Sequence, residues 1–144
     1  MLNKSILMGR LVRDPEHRQT QSGTVVASFT LAVGRDYPNQ NGNYQTDFID
    51  CVAWGKLGEF VCKWFTKGML AVVVGRIQSR NWEDKNGNKR TSIEVNCEEI
   101  NFGETKAARE RSGSTASAQP QQSFTPPTSA DFAELPDDEY DVPF

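Results

Sequence analysis

The segment from Thr46 to Trp54 carries two aromatic side chains that could stack on other rings. Alternate residues of an extended strand share a face, so Phe48, Asp50, Val52 and Trp54 lie on one side and Ile49, Cys51 and Ala53 on the other. An unpaired carboxylate is costly to bury, so this side should face solvent. Exposed aromatic rings suit a protein that stacks nucleic-acid bases, since every base has a π-face. Burial of both rings in a core or a subunit interface is the alternative that the sequence leaves open.

Two further aromatic residues lie in polar stretches of the chain. Trp82 leads into the segment Glu83 to Gly87, and Tyr37 follows Asp36. A tryptophan among polar neighbours has little core to enter, so a binding role competes with a structural one. Other large aromatics match apolar stripes, and we expect them in the core: Phe29, Phe60, Trp64 and Phe65.

Basic residues are interleaved with these aromatics. Arg76, Arg80 and Trp82 share strand parity, so they should line one surface. Such a groove could track the phosphates of a nucleic acid. A single lysine or arginine is more often a solvated surface residue, so the prediction depends on the whole set. The other basic residues close to an aromatic residue, or to the predicted turn at Glu83 to Gly87, are Arg35, Lys56, Lys89 and Arg90.

The sequence offers little for catalysis or for metal binding. It lacks G-x-S-x-G, G-x-x-x-x-G-K-[ST] and H-E-x-x-H, and its one histidine, without a C-x-x-C pair, assembles no zinc site. Cys51 and Cys97 have inward parity and no histidine nearby in sequence, which disfavours a nucleophile. We therefore expect no enzyme, cofactor or metal. A Mg²⁺ nuclease remains an alternative, with Asp47, Asp50 or Glu98 as ligand.

Strands and one helix must position these residues. In the last strand Ile93, Val95 and Cys97 should point inward, and the parity slips after Glu98-Glu99, which predicts a bulge. Lys56 to Phe65 instead repeats its apolar residues at helical spacing. The predicted strands are Ser5 to Val12, Thr24 to Val33, Thr46 to Trp54, Leu70 to Arg80, and Thr91 to Cys97.

This order of elements predicts an all-β domain. A five-stranded Greek-key barrel with one helix between strands 3 and 4 is the oligonucleotide/oligosaccharide-binding (OB) fold. A small β-sandwich is the alternative, which the placement of a single helix disfavours. No apolar run approaches the roughly 18 residues needed to cross a membrane, and three widely spaced cysteines indicate a reducing compartment.

The net charge of −3 hides a division of the chain. Residues 1–103 carry 13 basic and 11 acidic residues, whereas residues 104–144 carry 3 and 8. Ser112 to Ala130 has no charged residue and too few apolar ones to offset its ordering entropy. The sequence therefore predicts a domain over 1–103, a disordered linker over 104–130 and an acidic C-terminal tail over 131–144.

Several runs of the chain resemble a known family. Phe48 to Leu57 resembles the third strand and helix start of bacterial-type single-stranded DNA-binding proteins. The similarity covers residues 1 to about 102 in order, and the tail also resembles the family, with an acidic tip that ends in Pro143-Phe144. The other runs that carry the resemblance are Asn3 to Leu11, Asp14 to Glu16, and Val74 to Trp82.

The resemblance implies roles for individual residues. It implies base stacking by Tyr37, Phe48, Trp54 and Trp82, and backbone contacts by Lys4, Lys56, Lys67 and Arg80, to which the shared parity adds Arg76. It also implies a homotetramer that binds single-stranded DNA without sequence specificity, in the cytoplasm at the nucleoid. Asp50 departs from the neutral or basic residue of many members, which should weaken local phosphate contact.

The tip is expected to bind replication, recombination and repair proteins. The resemblance assigns this role to Glu139, Tyr140, Asp141, Val142, Pro143 and Phe144. Tyr140 and Val142 modify the family's usual pattern. An accessory replication protein with the same barrel but no stacking role is the remaining alternative, which the long acidic tail disfavours.

Overall fold

Alternating apolar residues give this chain its strands. The computed structural model describes residues 1–113, and in that part the element order is six strands and two helices. The elements are β1 (Ser5–Leu11), β2 (Glu16–Gln19), β3 (Val25–Pro38), β4 (Tyr44–Trp54), α1 (Lys56–Trp64), β5 (Leu70–Glu83), β6 (Lys89–Phe102) and α2 (Lys106–Gly113).

Five of these strands close a barrel in the order β1-β5-β6-β4-β3. The barrel closes because β1 pairs with both β5 and β3, with Leu11 opposite Leu31 at the second contact. Neighbouring strands are antiparallel except β4 and β6, which run parallel. The helix α1 lies between the third and fourth barrel strands. This arrangement confirms the predicted OB fold.

The core fills the inside of the barrel with inward residues from every barrel strand. Phe29, Leu31, Val73 and Phe65 are almost completely buried there. Cys51 and Cys97 are buried as their parity predicted. Hydrogen bonding with Cys97, together with burial, raises the pKa of the Cys51 thiol far above its usual range, so Cys51 stays protonated.

The predicted slip after Glu98-Glu99 is a bulge in β6. Val74 pairs with Glu99 and Gly75 pairs with Cys97, which leaves Glu98 as the extra residue. Gly75 allows this close approach, because a Cβ atom there would overlap the carbonyl oxygen of Asn96. The bulge turns both Cys97 and Ile100 into the core although they are three positions apart.

Two apolar residues predicted to be inside are exposed. The prediction for Trp64 is wrong because this last residue of α1 leaves its ring outside the core, with the Lys63 ammonium 5.2 Å from the ring centroid. The prediction for Ile93 is wrong because β5 and β6 extend beyond the barrel. The side chain of Ile93 therefore faces the inner side of the strand without an opposite strand to pack against. Ile77 of β5, opposite the buried Val95, is also half exposed.

The sequence missed two short elements. The strand β2 pairs with β3 from Glu16 to Gln19, but its four polar residues give no alternation to detect. The helix α2 occupies part of the predicted linker 104–130, since Ala107, Ala108 and their charged neighbours favour a helix and the Thr105 hydroxyl accepts a hydrogen bond from the Ala108 amide at 3.2 Å. The rest of the linker and the tail 131–144 lie outside the described residues. Within residues 1–113 no helix is long and apolar enough to cross a membrane.

Candidate nucleic-acid interface

The outer face of β4 carries the predicted stacking residues. Its inward residues Cys51 and Ala53 are buried, whereas Phe48 is 67% exposed and Trp54 is 46% exposed. Asp50 is exposed on the same face. The predicted exposure of Phe48, Asp50 and Trp54 is therefore confirmed, and the core alternative is excluded for the two rings. For Val52, which shares their parity, the prediction is wrong: Val52 is buried in the middle of the sheet, between Ser28 of β3 and Asn96 of β6.

A concave groove of about 400 Å³ runs along this face. Trp54 and Asp50 line it from β4, and Thr30 lines it from the neighbouring strand β3. The strand β2 supplies one wall, and Arg80 and Glu94 supply residues from the β5–β6 hairpin. The groove thus joins an aromatic ring of β4 with basic and acidic side chains from β2, β5 and β6 and from the segment that precedes β2. The charged side chains that line it are Arg13, Glu16, Arg18, Asp50, Arg80 and Glu94.

The β5–β6 hairpin continues the same outer surface beyond the barrel. Antiparallel pairing places Arg80 opposite Ser92 and Trp82 opposite Arg90. The Trp82 indole Nε1–H donates to Ser92 Oγ at 2.7 Å, which fixes the ring on the hairpin. Arg80 Nε lies 3.8 Å from a carboxylate oxygen of Glu94, so this arginine has an acidic neighbour. The predicted shared face of Arg80 and Trp82 agrees with this register.

The turn of this hairpin is organised by one carboxylate. Asp84 accepts hydrogen bonds from the backbone amides of Asn86 and Asn88 and from Arg90 Nε at 3.0 Å. The Arg90 guanidinium is the main reason why the pKa of Asp84 lies below its usual range. The hairpin that carries Trp82 therefore has a defined turn.

Tyr37 lies on the second extension, the β3–β4 hairpin. It is strongly exposed and lines a shallow cavity with Arg35 and Asp47. The Arg35 guanidinium donates two hydrogen bonds to the Asp47 carboxylate, at 2.7 and 2.9 Å, and one to Gln45 at 2.9 Å. This pairing lowers the pKa of Asp47 and raises that of Arg35. Arg35 is therefore tied to its own hairpin.

The predicted basic residues have different environments. Lys56 begins α1 two residues after Trp54, and within residues 1–113 its ammonium has no hydrogen-bond or ion-pair partner. Lys4 forms an ion pair with Glu98, the extra residue of the bulge. Hydrogen bonding from Lys4 and the charge of Arg76 hold the pKa of Glu98 below its usual range. Lys4 and Arg76 thus share one acidic neighbour.

Lys67 lies apart from the groove lining. It follows α1 in the turn to β5, where its backbone amide donates to Asp14 Oδ1 at 2.7 Å. The structure brings Arg80 together with Trp54 at one groove, whereas Lys4, Lys67 and Arg76 lie outside that lining. Their predicted contacts require DNA that extends beyond the groove.

The comparison with known proteins decides the family. The model of the single-strand binding protein family matches residues 2–103. The chain belongs to this family. The match covers the whole barrel, from before β1 to the end of β6, and so includes the outer face of β4 and both hairpins.

Individual relatives of this single-strand binding family member agree with the assignment. A single-stranded DNA-binding protein of Enterococcus faecalis is 47% identical over 113 residues, which cover 78% of this chain and 60% of the relative. One of Halalkalibacterium halodurans is 46% identical over 114 residues, covering 79% and 68%. One of Staphylococcus aureus is 51% identical over 106 residues, covering 74% and 68%. The matched part spans less than two thirds of the Enterococcus relative.

Sequence reasoning missed the β2 side of the groove. Arg13 and Arg18 line it together with Glu16, and Glu16 accepts a hydrogen bond from Arg18 at 3.0 Å. Arg13 and Arg18 lie on either side of Asp14-Pro15, which ends the predicted first strand. These two arginines around a turn are the feature of the sequence that could have indicated a basic site here. Without a predicted β2, nothing in the sequence placed them beside Trp54.

The carboxylates of the nuclease alternative lie in separate places. Asp47 pairs with Arg35, Glu98 pairs with Lys4, and Asp50 accepts a hydrogen bond from Thr30. In the part of the chain that the structure describes, no three histidine, cysteine or acidic side chains are grouped so that they could hold a metal ion. The predicted partner-binding tip, from Glu139 to Phe144, lies outside that part.

Proposed function

We propose that the chain binds single-stranded DNA without general sequence specificity and protects it. The observation that carries this proposal is the pair of exposed rings on the outer face of β4, Phe48 and Trp54, of which Trp54 lines a groove together with Arg80. Base stacking contributes about 1–3 kcal/mol per base. The names of the relatives, single-stranded DNA-binding proteins, support the same substrate. The proposed action is binding, not catalysis.

Spacing along β4 supports a path for several nucleotides. Phe48 and Trp54 are six residues apart, which at about 3.3 Å per residue separates their Cα atoms by about 20 Å. Two rings this far apart would stack on bases that are not neighbours, since one strand of helical DNA advances only about 3.4 Å per nucleotide. Tyr37 and Trp82 lie on the two hairpins that precede the parallel strands β4 and β6, and we propose them as further stacking positions.

Phosphates would bind the basic residues around this path. Lys56 has no internal partner among the described residues, so it can meet a phosphate at no internal cost. Lys4, Arg76 and Arg80 have acidic neighbours, and a phosphate must compete with Glu98 or Glu94 for them. Each neutralised phosphate should add about −0.7 to the salt slope of the binding constant. Lys67 is proposed as a further backbone contact.

Replacing Trp54 with alanine should weaken binding to a single-stranded oligonucleotide by at least fivefold, because one stacked base is lost at about 1 kcal/mol or more. The measurement is a fluorescence-anisotropy titration with labelled oligonucleotide at fixed salt.

The matched control for Trp54→Ala is Trp64→Ala. Trp64 is 53% exposed, close to the 46% of Trp54, but it lies at the end of α1 and does not line the groove. The Trp64→Ala variant should bind the oligonucleotide with an affinity within about twofold of that of the unchanged chain. Equal losses for the two variants, or no loss for Trp54→Ala, would contradict the stacking role.

We also propose a homotetramer, assembled through the outer face of β1. Ile6 and Met8 are exposed there, and the sheet register places them opposite Val74 and Val72 of β5. Neighbouring apolar side chains that form an exposed patch are typical of an interaction surface. Oligomerisation would bury this patch while the outer face of β4 stays free for DNA.

Replacing Ile6 with glutamate should dissociate the tetramer, because it places a charge in the apolar contact. Multi-angle light scattering at micromolar concentration reports the mass directly. Ile93→Glu is the control, since Ile93 is 69% exposed and Ile6 is 70% exposed, but Ile93 lies on the β5–β6 hairpin. A mass unchanged by Ile6→Glu would exclude this face as the interface.

The acidic tip is proposed as the contact for replication, recombination and repair proteins. Residues 131–144 carry six acids and no base, and the chain ends in Pro143-Phe144. An aromatic ring beside a run of acids suits an apolar pocket with a basic rim, and the acids would steer the approach. Such partners would hold the protein at the nucleoid.

Deleting residues 139–144 should abolish capture of these partners while DNA affinity stays equal or rises, because an acidic segment is removed. Capture on immobilised protein and anisotropy titration measure the two properties separately. Phe144→Ala should reproduce the loss of capture, and Phe124→Ala, in the predicted linker, should not. Loss of DNA binding on deletion would refute this division of roles.

A further inference from the structure

A carboxylate lies between the two stacking rings of β4. Asp50 is two residues from Phe48 and four from Trp54 on the same outer face. At about 3.3 Å per residue these separations are about 7 and 13 Å. A nucleotide that spans the gap between two stacked bases must therefore pass over Asp50. An acid at this point repels the phosphates of the DNA. It can instead accept a hydrogen bond from another group of the nucleotide.

The carboxylate of Asp50 is oriented by one neighbour. The Thr30 hydroxyl, directly opposite on β3, donates a hydrogen bond to Asp50 Oδ1 at 2.7 Å. Within residues 1–113 the other oxygen, Oδ2, has no hydrogen-bond partner, and Asp50 is exposed at the groove. One lone-pair-bearing oxygen is thus held on the DNA-facing surface and remains available as an acceptor.

A carboxylate can only accept hydrogen bonds, and bases differ in what they donate. Cytosine and adenine present exocyclic amino groups, and guanine presents an amino group beside a ring N–H. Thymine presents one N–H between two carbonyl oxygens, which a carboxylate repels on both sides. Single-stranded DNA exposes these edges because its bases are unpaired.

We propose that Asp50 is a specificity-determining residue, which favours cytosine, adenine or guanine over thymine at the position between Phe48 and Trp54. This inference rests on the proposed DNA binding and adds to it a local bias at one nucleotide position. The remaining positions stack bases and carry no such acceptor on β4. The competing explanation is that Asp50 only repels phosphate, which would weaken all sequences equally.

The experiment compares two pyrimidine oligonucleotides of equal length, oligo(dC) and oligo(dT), at one salt concentration. Three proteins are titrated: the unchanged chain, Asp50→Asn and Glu59→Gln. Asparagine is isosteric with aspartate and can turn either an oxygen or an amino group to the base, so it should accept both pyrimidines. Glu59 is an exposed acid of α1 that does not line the groove, so it controls for the loss of one negative charge.

We expect Asp50→Asn to lower the ratio of oligo(dC) to oligo(dT) affinity about fivefold, the effect of one base-edge contact. Glu59→Gln should leave the ratio unchanged. Equal strengthening of both oligonucleotides by Asp50→Asn would overturn the inference in favour of phosphate repulsion, and an unchanged ratio with unchanged affinities would also overturn it.

The two levels of the proposal fail differently. If the folded, unchanged chain bound neither oligonucleotide, the proposed function would fail and this inference with it. If it bound both and the ratio did not respond to Asp50→Asn, only the base preference would fail. Thr30→Val gives a second variant at the same place. It keeps the carboxylate but removes its orienting hydroxyl, and it should lower the ratio in the same direction by less than Asp50→Asn.

Discussion

Two residues of β4 pair in parallel with β6, Cys51 with Val95 and Val52 with Asn96. This short contact joins the β3–β4 hairpin to the β5–β6 hairpin, and the candidate interface depends on it. The inward residues of both strands fill the core, so their alternation leaves the outward residues on one continuous surface. Trp54 on one hairpin and Arg80 on the other thereby line the same groove. The bulge at Glu98 shifts the register of β6 by one residue, and β6 stays paired with β5 on both sides of it.

Electrostatics on this surface are local. The whole chain carries a net charge of −3. Several basic side chains near the proposed DNA path have an acidic neighbour within the fold. Arg35 is bound to Asp47, Arg90 to Asp84 and Lys4 to Glu98. A phosphate that binds such a side chain must displace the carboxylate that is already there. The gain in binding free energy is therefore smaller than at an unpaired lysine or arginine. Lys56 differs, since it begins α1 beside Trp54 with no such partner among residues 1–113.

Period-two patterns predicted much of the fold and the exposed face of the site. Both faces of their strand are partly apolar, and Phe48, Asp50 and Trp54 could be placed outside because Asp50 opposes burial. Val52 shares their parity, and parity alone could not show that the neighbouring strands bury it. Ile93 has the same inward parity as Val95, and parity alone cannot show that the barrel wall ends between them. Trp64 fits the apolar stripe of α1 but falls at its last residue. In both cases the spacing identifies a side of the element, and whether other residues cover that side depends on the tertiary fold.

The β2 side of the groove was unpredictable for another reason. Its residues from Glu16 to Gln19 are all polar, and their strand exists only because β3 offers a free edge from Val25 to Ser28. The hydrogen bond from Thr30 to Asp50 likewise depends on the β3–β4 register, which places residues 20 apart in sequence opposite each other. Pairing of this kind follows from the closed barrel, and no local pattern encodes it.

The proposed DNA path follows the outer face of β4 and the β5–β6 hairpin. The chain contains three tryptophans, Trp54 and Trp82 on this surface and Trp64 at the end of α1, so their indole N–H signals in a ¹H–¹⁵N spectrum report on it directly. On addition of a single-stranded oligonucleotide of mixed sequence, the signals of Trp54 and Trp82 should shift while that of Trp64 stays in place. A shift of Trp64 alone, or unchanged signals for Trp54 and Trp82 in a saturated complex, would contradict this DNA path.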